Sequence, residues 1–244
     1  MFRLFNQLFR KIGFQVNKYD KNKTNLNDLR KKLVYRSPVI FDVGANIGQS
    51  IDKYLKQFKK PKIHVFEPNK EAFEILEKKF SSLNYIYLNN FALGEKNSKK
   101  KLNYTHKSGS SSFHQINLNT DWIKKRSKSA NVKPNQYIKK KVITEIKTLD
   151  DYVKNHKIKK IDLLKIDTQG YEEKVLLGSI KSLSFIKNVE LEIMLDECYK
   201  AETSFYHIEN ILYPKNFKIY GMINNKRHKF ESVNFGSNVF YSKN

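Results

Sequence analysis

Val39-Ile40-Phe41-Asp42-Val43-Gly44-Ala45-Asn46-Ile47-Gly48 joins an apolar run to two glycines spaced Gly-x-x-x-Gly. The first five residues read as a buried strand, the glycines as a tight turn, and Gln49 to Phe58 as the helix that follows. A strand that turns at glycine into a helix is the opening of an α/β unit, and the chain repeats the alternation downstream. A second strand, Lys62 to Phe66, ends at Glu67-Pro68, where proline blocks continuation and a helix over Lys70 to Phe80 begins. A third strand is expected from Ile86 to about Phe91.

Beyond it, Lys96 to Lys141 reads as an excursion from the sheet, with Ser108-Gly109-Ser110-Ser111-Ser112 and Pro134 marking loops. Regular alternation resumes with a strand over Val142 to Lys147. A helix capped by Thr148 follows, with Asp150 and Asp151 suited to its first turn. Then come a buried strand at Ile161 to Ile166, a helix from Tyr171 to about Lys181 and a strand from Val189 to Leu195. A helix at Phe205 to Leu212 and strands at Lys218 to Ile223 and Asn238 to Tyr241 complete the chain. The expected domain is a doubly wound α/β unit over residues 38–244, preceded by an extension over residues 1–37.

Composition agrees with a packed fold. Leu, Ile, Val and Phe make up 72 of the 244 residues, about 30% and above the ~20% below which chains tend to stay disordered. No run approaches the ~18 apolar residues of a membrane span. Cys198 is the only cysteine, which excludes a disulfide framework and any metal site built on thiolates. The first residues lack the h-region and cleavage site of a secretory signal, so a reducing cytosol is the expected compartment.

The 47 basic and 24 acidic residues give a net charge of +23. Counterion release on phosphate makes nucleic acid the first partner to weigh. Yet 41 of the basic residues are lysine and six are arginine, whereas bidentate reading of bases and phosphates favours arginine. The distribution is more telling. Between Lys96 and Lys141 stand thirteen Lys or Arg against Asp121 alone, a local +12. The segment is either a solvated, mobile insertion or a basic rim that attracts an anionic substrate or membrane face. Residues 1–13 place Phe2, Leu4, Phe5, Leu8, Phe9 and Ile12 on one side of a helix and Arg3, Arg10 and Lys11 on the other. Such a helix lies on the inner membrane face, or packs on the protein's own body or a second copy.

The turn glycines bring backbone close to a ligand at a helix N-terminus. Glu67, nineteen residues after Gly48, stands where a carboxylate accepts both hydrogen bonds of a ribose diol. No Gly-x-x-x-x-Gly-Lys-Ser/Thr loop is present, which disfavours an NTPase. A sulfonium cofactor needs no pyrophosphate cradle, and S-adenosylmethionine fits this set.

Five elements then occur in order: Asp42-Val43-Gly44-Ala45-Asn46-Ile47-Gly48, Phe66-Glu67-Pro68, Ala92-Leu93-Gly94, Thr148-Leu149-Asp150, and Leu164-Lys165-Ile166-Asp167-Thr168-Gln169-Gly170-Tyr171-Glu172. Together, over about Pro38 to Tyr241, the chain resembles the FkbM-type methyltransferases. The resemblance implies a Rossmann-like class I methyltransferase fold with a mostly parallel seven-stranded sheet, helices on both faces and an antiparallel C-terminal strand. It also implies S-adenosylmethionine as donor and a hydroxyl of a saccharide or small natural product as acceptor. Carried over, Gly44, Ala45, Asn46 and Gly48 serve the methionine end, Glu67 the ribose, and Asn90, Phe91 and Ala92 the adenine, with Asp42 and Pro68 also among the cofactor-binding residues. Asp167 orients the cofactor or takes the acceptor's proton, against a plain capping role. Glu172 belongs to the following helix's first turn. Many relatives carry an acid and a histidine where this chain has Gln169 and Tyr171.

His106 and His114 flank the serine turn as alternative bases, although each reads more simply as a loop residue. Asp150, Asp167 and Glu192 are a weak candidate set for a divalent cation, and no metal is expected. Cys198 and His207 read as structural. The expected activity is O-methylation of a surface glycan or its precursor, with an anionic or lipid-linked acceptor. The alternatives are a nucleic-acid methyltransferase and a noncatalytic membrane-associated module that keeps the cofactor pocket. Against the first, there is no Asn/Asp-Pro-Pro-aromatic element and no Pro-Cys pair.

Overall fold

The computed structural model describes Arg30 and residues 37–194, 197–200, 203–224 and 236–243. The expected helix over residues 1–13 lies outside them. In chain order the first elements are β1 (Val39–Val43), α1 (Gln49–Gln57), β2 (Lys62–Phe66), α2 (Lys70–Phe80), β3 (Ile86–Asn89), β4 (Ala92–Leu93) and β5 (Ser98–Thr105). There follow α3 (Asp121–Ser129), β6 (Ile138–Lys147), α4 (Leu149–Asn155), β7 (Ile161–Ile166) and α5 (Glu172–Leu177). The last are β8 (Ile186–Met194), α6 (Phe205–Leu212), β9 (Phe217–Asn224) and β10 (Gly236–Lys243).

Seven strands form one sheet in the order β3-β2-β1-β7-β8-β10-β9. β1 sits between β2 and β7, parallel to both, with Asp42 paired to Val65 on one side and Lys165 on the other. β10 is antiparallel to both its neighbours, β8 and β9. This is the expected Rossmann-like methyltransferase architecture. Strand order reverses between β1 and β7, and that switch point opens a crevice at the carboxyl ends of the strands.

Alternation along β1 divides the core between the faces. Phe41 and Val43 pack with Leu149, Tyr152 and Val153 of α4, Val175 and Leu176 of α5, and Ile208 and Leu212 of α6. Ile40 packs with Ile51 and Tyr54 of α1 and with Phe73, Leu76 and Phe80 of α2. Complete burial of a side chain such as Ile51 or Leu76 contributes roughly 1.5–3 kcal/mol. The helices start where polar caps release the chain. Asn69 Oδ1 accepts from Glu71 N at 3.0 Å, and Thr148 Oγ1 accepts from Asp151 N at 3.1 Å.

Several expectations are corrected. β3 ends at Asn89 rather than Phe91, because the chain leaves the sheet and Ala92–Leu93 pairs in parallel with Ile146–Lys147 instead. The strand expected at Val142 begins at Ile138 and belongs to a second, three-stranded sheet ordered β4-β6-β5. The helix expected to reach Lys181 stops at Leu177; Asp150 then accepts the N–H of Ser182 at 2.7 Å and fixes a separate 3-10 turn, Ser182–Phe185.

The basic excursion is not a solvated loop. Its Ile116, Trp122, Ile123 and Tyr137 form a buried cluster with Cys198 and Tyr199 of the segment after β8. Asn117 N donates to Cys198 O at 3.0 Å, and Lys200 N donates to Gln115 O at 2.8 Å, tying it to the chain after β8. Cys198 is thus structural, and His207 caps α6 in a reciprocal box with Ser204. Among the described residues no helix is long and apolar enough to cross a membrane.

Candidate functional site

Above the switch point lies a cavity of about 430 Å³, walled by the ends of β1, β2, β7 and β8 and roofed by the excursion. That volume lies in the range of small-molecule sites.

The β1 turn forms one wall. Gly44 adopts φ +80°, and a Cβ there would meet the Asp167 carbonyl oxygen at 2.0 Å. Only glycine lets the two strand ends approach so closely. Gly44 N donates to Phe66 O at 2.9 Å and Asp167 N donates to Val43 O at 2.9 Å, locking the turn to both neighbours. Asn46, at φ +50°, receives the Ser108 hydroxyl on its side-chain oxygen at 2.7 Å, so the excursion's serine turn closes over this wall.

Glu67 stands beside it. Its Oε2 accepts from Asn46 N at 2.7 Å and its Oε1 from Asn69 N at 2.8 Å. Burial pushes the carboxyl up to about 7, and the two amides work in the opposite direction. Each oxygen keeps a further lone pair.

The far wall carries charge. Lys165, the only cation in the buried strand β7, places Nζ 3.1 Å from Asp42 Oδ1 and 3.5 Å from Asp167 Oδ2. Burial opposes the ammonium, yet Asp42 and Asp167 hold it protonated above its ordinary range. Asp42 also accepts the Ser50 hydroxyl. Gln169, at φ +56°, uses Nε2 to donate to Asp167 Oδ1 at 3.0 Å and Glu192 Oε2 at 3.1 Å. The Tyr199 hydroxyl donates to its Oε1 at 3.2 Å. A non-glycine residue held at positive φ and bonded on three sides is strained backbone fixed by its surroundings. Burial, then the negative charges of Asp167 and Glu172, push Glu192 up to about 8. Arg30 Nε donates to Glu190 Oε2 at 2.6 Å, closing the floor.

The cavity therefore unites Gly44, Ala45, Asn46, Glu67, Pro68, Ala92 and Asp167. Four other expected residues are placed behind its wall. Asp42 is fully buried and braces β7. A Cβ on Gly48 would strike the Phe80 ring at 2.4 Å, so that glycine serves helix packing. Asn90 Nδ2 donates to the Glu67 carbonyl at 2.9 Å. Phe91 packs on Phe66 with centroids 5.7 Å apart and lines a different depression.

No histidine lines this cavity among the described residues. Asp150 caps the turn at Ser182 and does not join Asp167 and Glu192. Glu172 accepts from Thr168 N at 2.9 Å and Gly170 N at 3.2 Å, which is the expected turn-stabilising role. Sequence reading missed Arg30, Lys165, Glu190 and Asn238, all on the wall. Lys165 left a signal, since a lysine inside Ile161–Ile166 requires a buried partner. Arg30 left none, being 160 residues from Glu190.

These residues fit a nucleoside-bearing sulfonium. A glycine turn too close for any Cβ meets a buried carboxylate whose free lone pairs suit a diol, and further carboxylates suit a cationic sulfur.

A family model described as the methyltransferase FkbM domain matches residues 42–221. The chain is 24% identical over 184 residues to the 2-O-methyltransferase NoeI of Sinorhizobium fredii, covering 72% of this chain and 71% of that one. A solved methyltransferase FkbM from Methylobacillus flagellatus superimposes with a TM-score of 0.56 at 13% identity, over 87% of this chain. The chain spans 46% of that protein's length.

Proposed function

The chain belongs to the FkbM methyltransferase family, which uses S-adenosylmethionine, and from this premise we propose that it methylates a hydroxyl group of a saccharide or small natural product. The observation that carries the proposal is one cavity joining the Gly44–Glu67 wall to the Asp167–Gln169–Glu192 wall. The relative named a 2-O-methyltransferase supports oxygen as the methylated atom.

Gly44, Ala45 and Asn46 would hold the donor's amino-acid end, Glu67 its ribose, and Pro68 and Ala92 the adenine side. When bound, the donor supplies an electrophilic methyl group on a positively charged sulfur. The protein's contribution is then largely positioning, with a general base adding a smaller share. Methylation of a hydroxyl releases one proton. Glu192, which lines the cavity and is held by Gln169 at 3.1 Å, would be able to receive it in its ionised form. Asp167, fixed by Lys165 and Gln169, orients the reactants. Gln169 holds the two carboxylates in register.

Incubation with methyl-labelled donor and a panel of neutral, acidic and lipid-linked saccharides tests the reading. Label in an acid-stable ether on a sugar oxygen is the expected product. Label found only on a nitrogen or in nucleic acid contradicts the proposal.

A further inference from the structure

Helix α3 brings a cation to the cavity wall. Arg126 lines the cavity, and its guanidinium carbon lies 5.7 Å from the centroid of the Trp122 ring. Trp122 is buried and packs 5.2 Å from Tyr199, whose hydroxyl bonds Gln169. Arg126 is thereby linked through two rings to the residue that joins Asp167 and Glu192.

Its electrostatic situation differs from that of the cavity's deeper cations. Arg30 is paired with Glu190, and Lys165 with Asp42 and Asp167. Among the described residues no carboxylate pairs with Arg126, and its contact is the indole face. Stacking on an aromatic ring orients a guanidinium without using its N–H donors. A planar fork of free donors, held at a cavity wall, matches a carboxylate or phosphate through two parallel hydrogen bonds. The surrounding +12 segment raises the local concentration of anions.

We propose that Arg126 is an oxyanion-binding residue and that the acceptor carries a carboxylate or phosphate in addition to the hydroxyl that is methylated. The term acceptor rests on the methyltransferase reading; the anion site itself rests on Arg126 and Trp122. The donor's own carboxylate is the competing ligand, but the donor wall is built from the β1 turn and Glu67 rather than from α3.

Trp122 is the only tryptophan in the chain, so its fluorescence reports on the stacked guanidinium. The protein is titrated with glucuronate, glucose 6-phosphate and glucose at fixed ionic strength, and separately with S-adenosylhomocysteine by calorimetry. A saturable change with glucuronate, glucose 6-phosphate or both, and none with glucose, is expected; which anion responds identifies the oxyanion. Arg126→Gln should weaken that response about tenfold or more while S-adenosylhomocysteine affinity stays within about twofold. Arg126→Lys, which keeps charge and loses the fork, should fall between. Equal responses to glucose, no response to either anion, or an unaltered response in Arg126→Gln overturns the proposal. So does a tenfold loss of S-adenosylhomocysteine affinity in that variant, which would assign the guanidinium to the donor. Wild-type protein that fails to bind S-adenosylhomocysteine yet responds to the anions contradicts the methyltransferase reading and leaves the anion site standing.

Discussion

The Glu67 carboxylate accepts the main-chain N–H of Asn46 at 2.7 Å across 21 residues of sequence, so the acid after β2 and the turn after β1 hold one another in place. Removing the acid therefore removes both the proposed ligand for the ribose and a brace for the turn. Glu67→Ala should weaken S-adenosylhomocysteine about a hundredfold, the order expected for two charge-assisted hydrogen bonds. Affinity should also fall as pH drops from 8 to 6, because the carboxyl is pushed up to about 7 and a protonated one loses its acceptor strength. Calorimetry across that range reads both effects, and a Glu67→Gln profile should be flat.

Stability should fall as pH rises from 6.5 to about 8. Burial pushes Glu67 and Glu172 up to about 7 and Glu192 up to about 8, so the folded state binds more protons than the unfolded one through this window. The sign is fixed by the ionised form: a carboxyl harder to ionise when folded costs stability progressively as pH rises from its ordinary value toward its raised one, and nothing more beyond it. His64 and His114, shifted down by burial, act in the opposite direction below pH 6.5, outside the window. Urea unfolding at several pH values measures the slope, and Glu172→Gln should reduce it.

Gly44→Ala and Gly48→Ala should separate two roles. A methyl group on Gly44 meets backbone, the Asp167 carbonyl, so the ends of β1 and β7 must part and donor binding should be lost. On Gly48 it meets the edge of the Phe80 ring, with stability falling by ~1–3 kcal/mol as in other overpacked cores. Thermal unfolding together with S-adenosylhomocysteine titration distinguishes the outcomes. Equal binding losses would contradict the assignment.

Lys165→Met should cost about 3–5 kcal/mol, because it leaves Asp42 fully buried without its counter-charge. Adding Asp42→Asn should recover part of that loss. Chemical denaturation of the two single variants and the double variant gives the coupling directly.

Much of this architecture was legible from residue pattern. β1, β2 and β7 are mostly apolar on both faces because both faces are buried, with Asp42, His64, Asp162 and Lys165 as buried polar interruptions, and Asn69 and Thr148 mark helix starts through their capping chemistry. Gly44 and Glu67 were readable because each sits beside a strand end with a residue type the geometry demands. The second sheet was not legible. β5 begins Ser98-Lys99-Lys100-Lys101, all exposed, so its pattern reads as a solvated loop although the strand is paired along its length. Residues whose role depends on partners distant in sequence were equally hidden. Arg30 reaches Glu190 only through the fold, and Arg126 reaches the cavity because α3 is anchored through Trp122 on Tyr199. Asp42 and Phe91 lie in or beside recognisable motifs but face the core, a matter of side-chain direction that spacing alone leaves open.

In the proposed reading, the cavity between Gly44, Glu67 and Asp167 holds S-adenosylmethionine. Isothermal titration of folded wild-type protein with S-adenosylhomocysteine tests it most directly. A one-to-one complex in the micromolar range, weakened about a hundredfold in Glu67→Ala, is expected. Absence of binding by well-folded protein, or binding that Glu67→Ala leaves unchanged, would contradict it.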